Sequence, residues 1–196
     1  MRAGEPPAPA ALAGWMEQVR ERLARRVRAP LEAREGFRRA GVLIPLFVRE
    51  AGLWIVLTRR TESVEHHRGQ ISFPGGAEEP EDQTLWHTAL RESQEELGIL
   101  PEDALALGRL SPLETVTNFY VEPFVAAIPQ PYVFRPAEAE IAEVLEVPVA
   151  ALLDPAVLEI RRLPDREEPA LFYHYGEQVI WGATARIVAE LLEALR

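Results

Sequence analysis

The 196-residue chain contains no cysteine and no lysine. Without cysteine there is no thiol nucleophile, no thiolate metal site and no disulfide. Without lysine there is no Schiff-base chemistry and no lysine-based phosphate loop, so arginine carries all 21 basic charges. Positive charge is itself in deficit. The 31 Asp and Glu residues leave a formal net charge of -10, which argues against non-specific binding to nucleic acid or an anionic membrane. An anionic small molecule would have to be held by a local arginine cluster or a metal ion. Long apolar runs are missing too. Nothing approaches the ~20 residues of a membrane span, and the opening MRAGEPPAPAALAG has no signal-type apolar core, so a cytoplasmic location is expected.

What is present suits one folded domain: 47% hydrophobic and 27% charged residues, enough to bury a full core. Residues 1–40 read as a Pro/Ala-rich tail followed by an amphipathic helix. In that helix Leu12, Trp15, Met16, Val19, Leu23 and Val27 recur at three- and four-residue intervals. From residue 41 to 196 the main domain follows. GVLIPLFV (41–48) and LWIVLTRR (53–60) predict a hairpin. Then comes a long polar stretch with a Pro-Gly-Gly break, of the length that usually serves function. A helix is predicted over 83–97, with Asp82 or Thr84 as N-cap and Gly98 as its end. Strands are predicted at 105–110 and 120–128. EIAEVLEVPVAALLDP reads as a short helix, a proline break and another turn. VLEIRRL and LFYHYGEQVIW read as a late strand pair, and GATARIVAELLEALR as a closing helix. Helices and strands alternate without a strict βαβ repeat, which implies a mixed sheet covered by helices.

The octapeptide RESQEELG (91–98) is costly as a helix end. Glu92, Glu95 and Glu96 project within one arc, one turn above another, where the helix dipole disfavours anions. Arg91 reaches Glu95 at four residues, in the weaker order for such a pair. A solvated acidic face is one explanation. The other is a hard divalent cation, Mg²⁺ or Mn²⁺, which requires converging oxygen ligands. The glycines of FPGG (73–76) let backbone approach a ligand closely and can offer carbonyls to a metal.

Gly76, Asp82, Arg91-Glu92, Glu95-Glu96 and Gly98 together resemble the Nudix signature. Asp82 stands where that signature has Glu, one extra residue separates it from Arg91, and Ser93 fills an apolar position. Upstream, LTRRTESVEHHRGQISFPGG (57–76) resembles the segment that marks the coenzyme A pyrophosphatase branch, with Thr61 in place of Ser and Glu65 in place of Arg. EIAEVLEVPVAALLDP and IWGATARI (180–187) are similar to the same branch.

The resemblance implies an α/β fold, a Nudix-type α/β/α sandwich with a mixed sheet. It implies Mg²⁺- or Mn²⁺-dependent cleavage of the pyrophosphate of coenzyme A, or of another nucleoside diphosphate derivative such as ADP-ribose or a dinucleotide. A nucleotide-sensing module without catalysis is the rival, though such a module is expected to lose signature carboxylates. The metal would be held by Glu92, Glu96 and the Gly76 carbonyl, with Arg91 orienting Glu95. Among Glu114, Glu122, Glu140 and Glu143, Glu140 is the preferred additional catalytic carboxylate. Arg60, Arg59, Arg68, Gly75 and Gly76 are the substrate-binding candidates. Adjacent strand residues face opposite sides, so only one of Arg59 and Arg60 can point at the site, and the resemblance favours Arg60. His66, His67, Phe119 and Tyr120 are weaker candidates. The expected partner is a small nucleotide; self-association as a homodimer is compatible with the chain.

Overall fold

A computed structural model describes residues 9–27, 31–50, 52–61, 69–163 and 169–196, with side chains from residue 14 onward. The chain begins with α1 (Pro9–Arg25) and continues through β1 (Arg38–Arg49), β2 (Gly52–Arg60), β3 (Ile71–Ser72), β4 (Gly75–Ala77) and α2 (Leu85–Leu97). Next come β5 (Leu105–Arg109), β6 (Leu113–Glu114), β7 (Phe119–Ala127), β8 (Ile141–Pro148) and α3 (Val149–Leu152). Strands β9 (Leu158–Arg161), β10 (Ala170–Tyr175) and β11 (Gln178–Trp181) precede α4 (Gly182–Ala194).

β1 is the spine. It pairs antiparallel with β2 and β4 and parallel with β7, so the main sheet of eight strands is mixed. Both of its faces are covered, which explains why 42–48 reads as an unbroken apolar run. Leu43 and Phe47 point to the layer holding α2, with Ala89, Leu90 and Leu97. Ile44 and Leu46 point the other way, into a cluster with Val19 and Leu23 of α1 and Ile187, Val188 and Leu191 of α4. Helices therefore lie on both sides of the sheet, an α/β/α sandwich. Strands β9 to β11 form a separate antiparallel sheet.

The structure corrects several elements. EIAEVLEV is a strand, β8, paired with β2 from Trp54↔Pro148 to Arg60↔Ile141. Ile141 and Leu145 fit helical and strand spacing alike; the long pairing edge of β2 decides between them. Helix remains only in α3. The late strand pair is three strands, because LFYHYGEQVIW turns back on itself at Gly176, φ 59°, to pair Tyr175 with Gln178. Val27 leaves the apolar face: α1 ends at Arg25 and Val27 is 94% exposed. Among the described residues no helix is long and apolar enough to cross a membrane.

Candidate active site

Helix α2 is held at both ends. Thr84, not Asp82, is the N-cap: its side chain accepts from the His87 N–H. Gly98 adopts the left-handed conformation, φ 69°, and its N–H returns to the Gln94 carbonyl. Ser93 is wholly buried, and its Oγ donates to the Ala89 carbonyl at 2.6 Å, so a polar residue satisfies an apolar position. The helix start presses on β1 at Gly41, where any Cβ would lie 2.1 Å from the Leu85 carbonyl oxygen.

That docking delivers two glutamates to one place. Glu92 lies over Gly76, and a Cβ there would be 2.5 Å from its carboxyl carbon. Glu96, nearly buried, accepts from the Gly75 N–H at 3.2 Å. Burial raises the Glu92 pKa and pushes that of Glu96 up to about 7, against partial relief from Arg91 and Arg60 respectively. Glu95 remains exposed, 3.2 Å from Arg91 Nη1.

Arg91 is more constrained than helix spacing alone implies. Its Nε and Nη2 donate to the two oxygens of Asp82, at 3.2 and 3.0 Å. Nη2 also donates to the Ala77 carbonyl at 2.9 Å, while Nη1 donates to Glu92 at 3.0 Å. Asp82 further accepts from the Thr88 hydroxyl and the Glu79 N–H, both at 2.9 Å. Hydrogen bonding from Arg91 holds the Asp82 pKa down at about 2. The extra residue before Arg91 thus leaves Asp82 in reach of it, with Thr88 as a second anchor. Nothing in the sequence alone separated this role from an N-cap. Gly41 was missed as well; its only mark is an isolated glycine at the head of an apolar strand.

Strand parity decides between the two arginines. Arg60 faces the glutamates, 3.7 Å from Glu96 and 3.2 Å from Glu140. Arg59 faces away and pairs with Glu143 at 3.0 Å, so it does not join the site. Glu140 is brought to Arg60 because the Thr61 N–H donates to the Glu140 carbonyl at 2.8 Å. Glu122 pairs with Arg109, whereas Glu114 and Phe119 line the cavity. The Tyr120 hydroxyl donates to the Leu31 carbonyl. Arg68, His66 and His67 lie outside the described residues. A cavity of about 520 Å³ opens beside Gly75, Gly76 and Arg60 and extends to Trp181 and Arg186.

The NUDIX domain model matches residues 37–171. An uncharacterized Nudix hydrolase, NudL, from Pectobacterium atrosepticum is 40% identical over 157 residues, 79% of this chain and 81% of its own length. A protein of the same name from Photorhabdus laumondii is 32% identical over 170 residues, 85% and 90% of the two chains. Among solved structures, DR0079 from Deinococcus radiodurans shares the fold, with a TM-score of 0.52 and 17% identity over 82% of this chain and 88% of that one. The chain belongs to the NUDIX family. It is a pyrophosphohydrolase of that family.

Proposed function

We propose that the chain hydrolyses the pyrophosphate bond of coenzyme A and its derivatives, giving 4′-phosphopantetheine and adenosine 3′,5′-bisphosphate, with Mg²⁺ or Mn²⁺ as cofactor. The observation that carries this reading is the seating of Glu92 and Glu96 on the Gly75–Gly76 backbone, with Arg60 of the coenzyme-A-type segment beside them.

The residues fit a hard cation of the kind Nudix hydrolases use. Two poorly solvated carboxylates face a glycine cradle that any side chain would fill. Among the described residues no three acidic or imidazole side chains form a complete cage. Mg²⁺ does not ask for one, since it commonly takes one or two carboxylates and completes its shell with substrate phosphate and water. Glu92, Glu96 and the Gly76 carbonyl would hold it. When bound, the ion neutralises pyrophosphate charge and makes water a stronger nucleophile.

The chain's own groups supply positioning. Arg91, fixed by Asp82 and the Ala77 carbonyl, holds Glu92 and Glu95 in place. Arg60 offers its guanidinium to a phosphate oxygen next to Glu96, where a charge-assisted bond is strong. Glu140 and Glu95, both more than half exposed, are the carboxylates placed to accept a proton. The cavity gives the substrate an apolar wall that includes Phe73, Phe119 and Val121. All these groups come from one chain, so a homodimer would leave the site complete in each copy.

The test is product release from coenzyme A, dephospho-coenzyme A, ADP-ribose, NADH and diadenosine polyphosphates, with and without Mg²⁺. Coenzyme A should give the highest kcat/KM. Preference for ADP-ribose would remove the coenzyme A reading and keep the hydrolase. Binding without any product would favour a sensor.

A further inference from the structure

The outer face of the β9–β11 sheet breaks the alternation expected of it. Its inner face is satisfied, with Tyr173 and Ile180 buried in the core. The other face should be polar. Instead Phe172 stands opposite Trp181, and His174 opposite Val179. Trp181 is 46% exposed, Val179 37%, and Val116 from the β6–β7 connection 79%. Together they wall a second cavity of about 840 Å³. Val116, Trp181, Gly182 and Arg186 line both cavities, so the groove continues from the catalytic one around Trp181. Contiguous apolar surface of this kind marks a binding site more often than chance exposure.

The basic side chains at the groove are already engaged by neighbouring groups. Arg161 pairs with Glu159 at 2.5 Å and sits 4.4 Å over the Phe172 ring. His174 Nε2 lies 2.9 Å from Glu159, and Arg186 donates to the Glu114 carbonyl at 3.2 Å. The groove therefore offers apolar wall in place of an anion site, and one face of Phe172 is closed to a stacking base. An uncharged chain suits it better than a second nucleotide.

We propose that this groove binds the acyl chain of coenzyme A thioesters, and that Val179 and Trp181 set chain-length preference. The inference rests on the coenzyme A reading and deepens it: a substrate cleaved at the Glu92–Glu96 end must lay its remaining half along the cavity, and the groove is where that half continues.

Each methylene removed from water is worth at most about fourfold. Octanoyl-coenzyme A should therefore exceed acetyl-coenzyme A in kcat/KM by about tenfold or more. Val179→Asp should bring that ratio to within about twofold. A second arm needs no catalysis: calorimetric binding of S-octanoyl- against S-acetyl-4′-phosphopantetheine, without metal, to the parent and to Val179→Asp. A flat chain-length profile in a parent that cleaves coenzyme A overturns the groove assignment. So does preferential cleavage of diadenosine polyphosphates that Trp181→Ala abolishes, which would give the groove to a second nucleoside. If coenzyme A is not cleaved at all, the substrate reading fails separately and calorimetry decides the groove. Chain-length-dependent binding lost in Val179→Asp supports it, and equal binding overturns it.

Discussion

The carboxylate of Glu92 rests directly on Gly76, with no room for a Cβ between them: one built there would come within 2.5 Å of the carboxyl carbon. Gly76→Ala should therefore displace Glu92 without disturbing the core. Misplacement of a catalytic group by ~1 Å costs on the order of 100-fold. Steady-state kinetics with a thermal melt checks this; normal activity in a folded Gly76→Ala protein would contradict the arrangement.

Glu92→Gln and Glu96→Gln should each remove a metal-binding charge and leave the backbone contacts in place. A lost cation contribution of several kcal/mol corresponds to a fall in kcat of on the order of 1,000-fold. Titration with Mn²⁺ should show weaker binding in both variants. Near-normal turnover of both at limiting Mg²⁺ would rule the pair out as ligands.

The metal-free protein should lose stability as pH rises. Burial lifts Glu96 from its ordinary 4.5 to about 7, so between those values the folded state holds a proton that the unfolded state has released. That stabilisation is complete below about pH 4.5 and is lost as pH passes about 7, where burying the charge costs about 3 kcal/mol. Melts in chelator at pH 5 and pH 8 should show a larger drop for the parent than for Glu96→Gln. Parallel drops would refute the claim.

Arg91→Ala should lower kcat by about 10- to 100-fold with little change in KM, because the guanidinium touches carboxylates and backbone and supports the ligands from outside. Asp82→Ala should reproduce the same split more mildly, since Arg91 keeps the Ala77 carbonyl. An effect confined to KM would assign Arg91 to substrate instead.

Arg60 lies against Glu96, so at the proposed site it would meet the pyrophosphate. A charge-assisted contact there is worth about 1.5–3 kcal/mol, or one to two decades in kcat/KM. Arg60→Ala should therefore weaken cleavage of coenzyme A and dephospho-coenzyme A alike and leave their ratio unchanged. A collapse of the ratio would move Arg60 to the 3′-phosphate.

Local chemistry was legible in the sequence. Helix α2 ends at Gly98 because a glycine follows the last apolar position; strand parity allowed only one of Arg59 and Arg60 to face the site, and the family resemblance favoured Arg60. What stayed hidden was set by partners distant in the chain. EIAEVLEV suits a helix by spacing and becomes a strand because β2 has an edge to fill. Asp82 looked like a cap until Arg91, nine residues on, was seen to bind both its oxygens. Gly41 carries no motif; its need for a bare Cα arises only when Leu85 packs against it.

The pairing of β1 along both edges also governs how the molecule breathes. From Ala40 to Leu46 its main chain is tied to β7 on one side and to β4, the Pro74 carbonyl and β2 on the other. Amide hydrogens there should exchange with deuterium only through global unfolding, while the β9–β11 sheet exchanges through smaller openings. Helix α2 is seated on that slowest-exchanging strand at Gly41, so Glu92 and Glu96 sit on the part of the chain last to open.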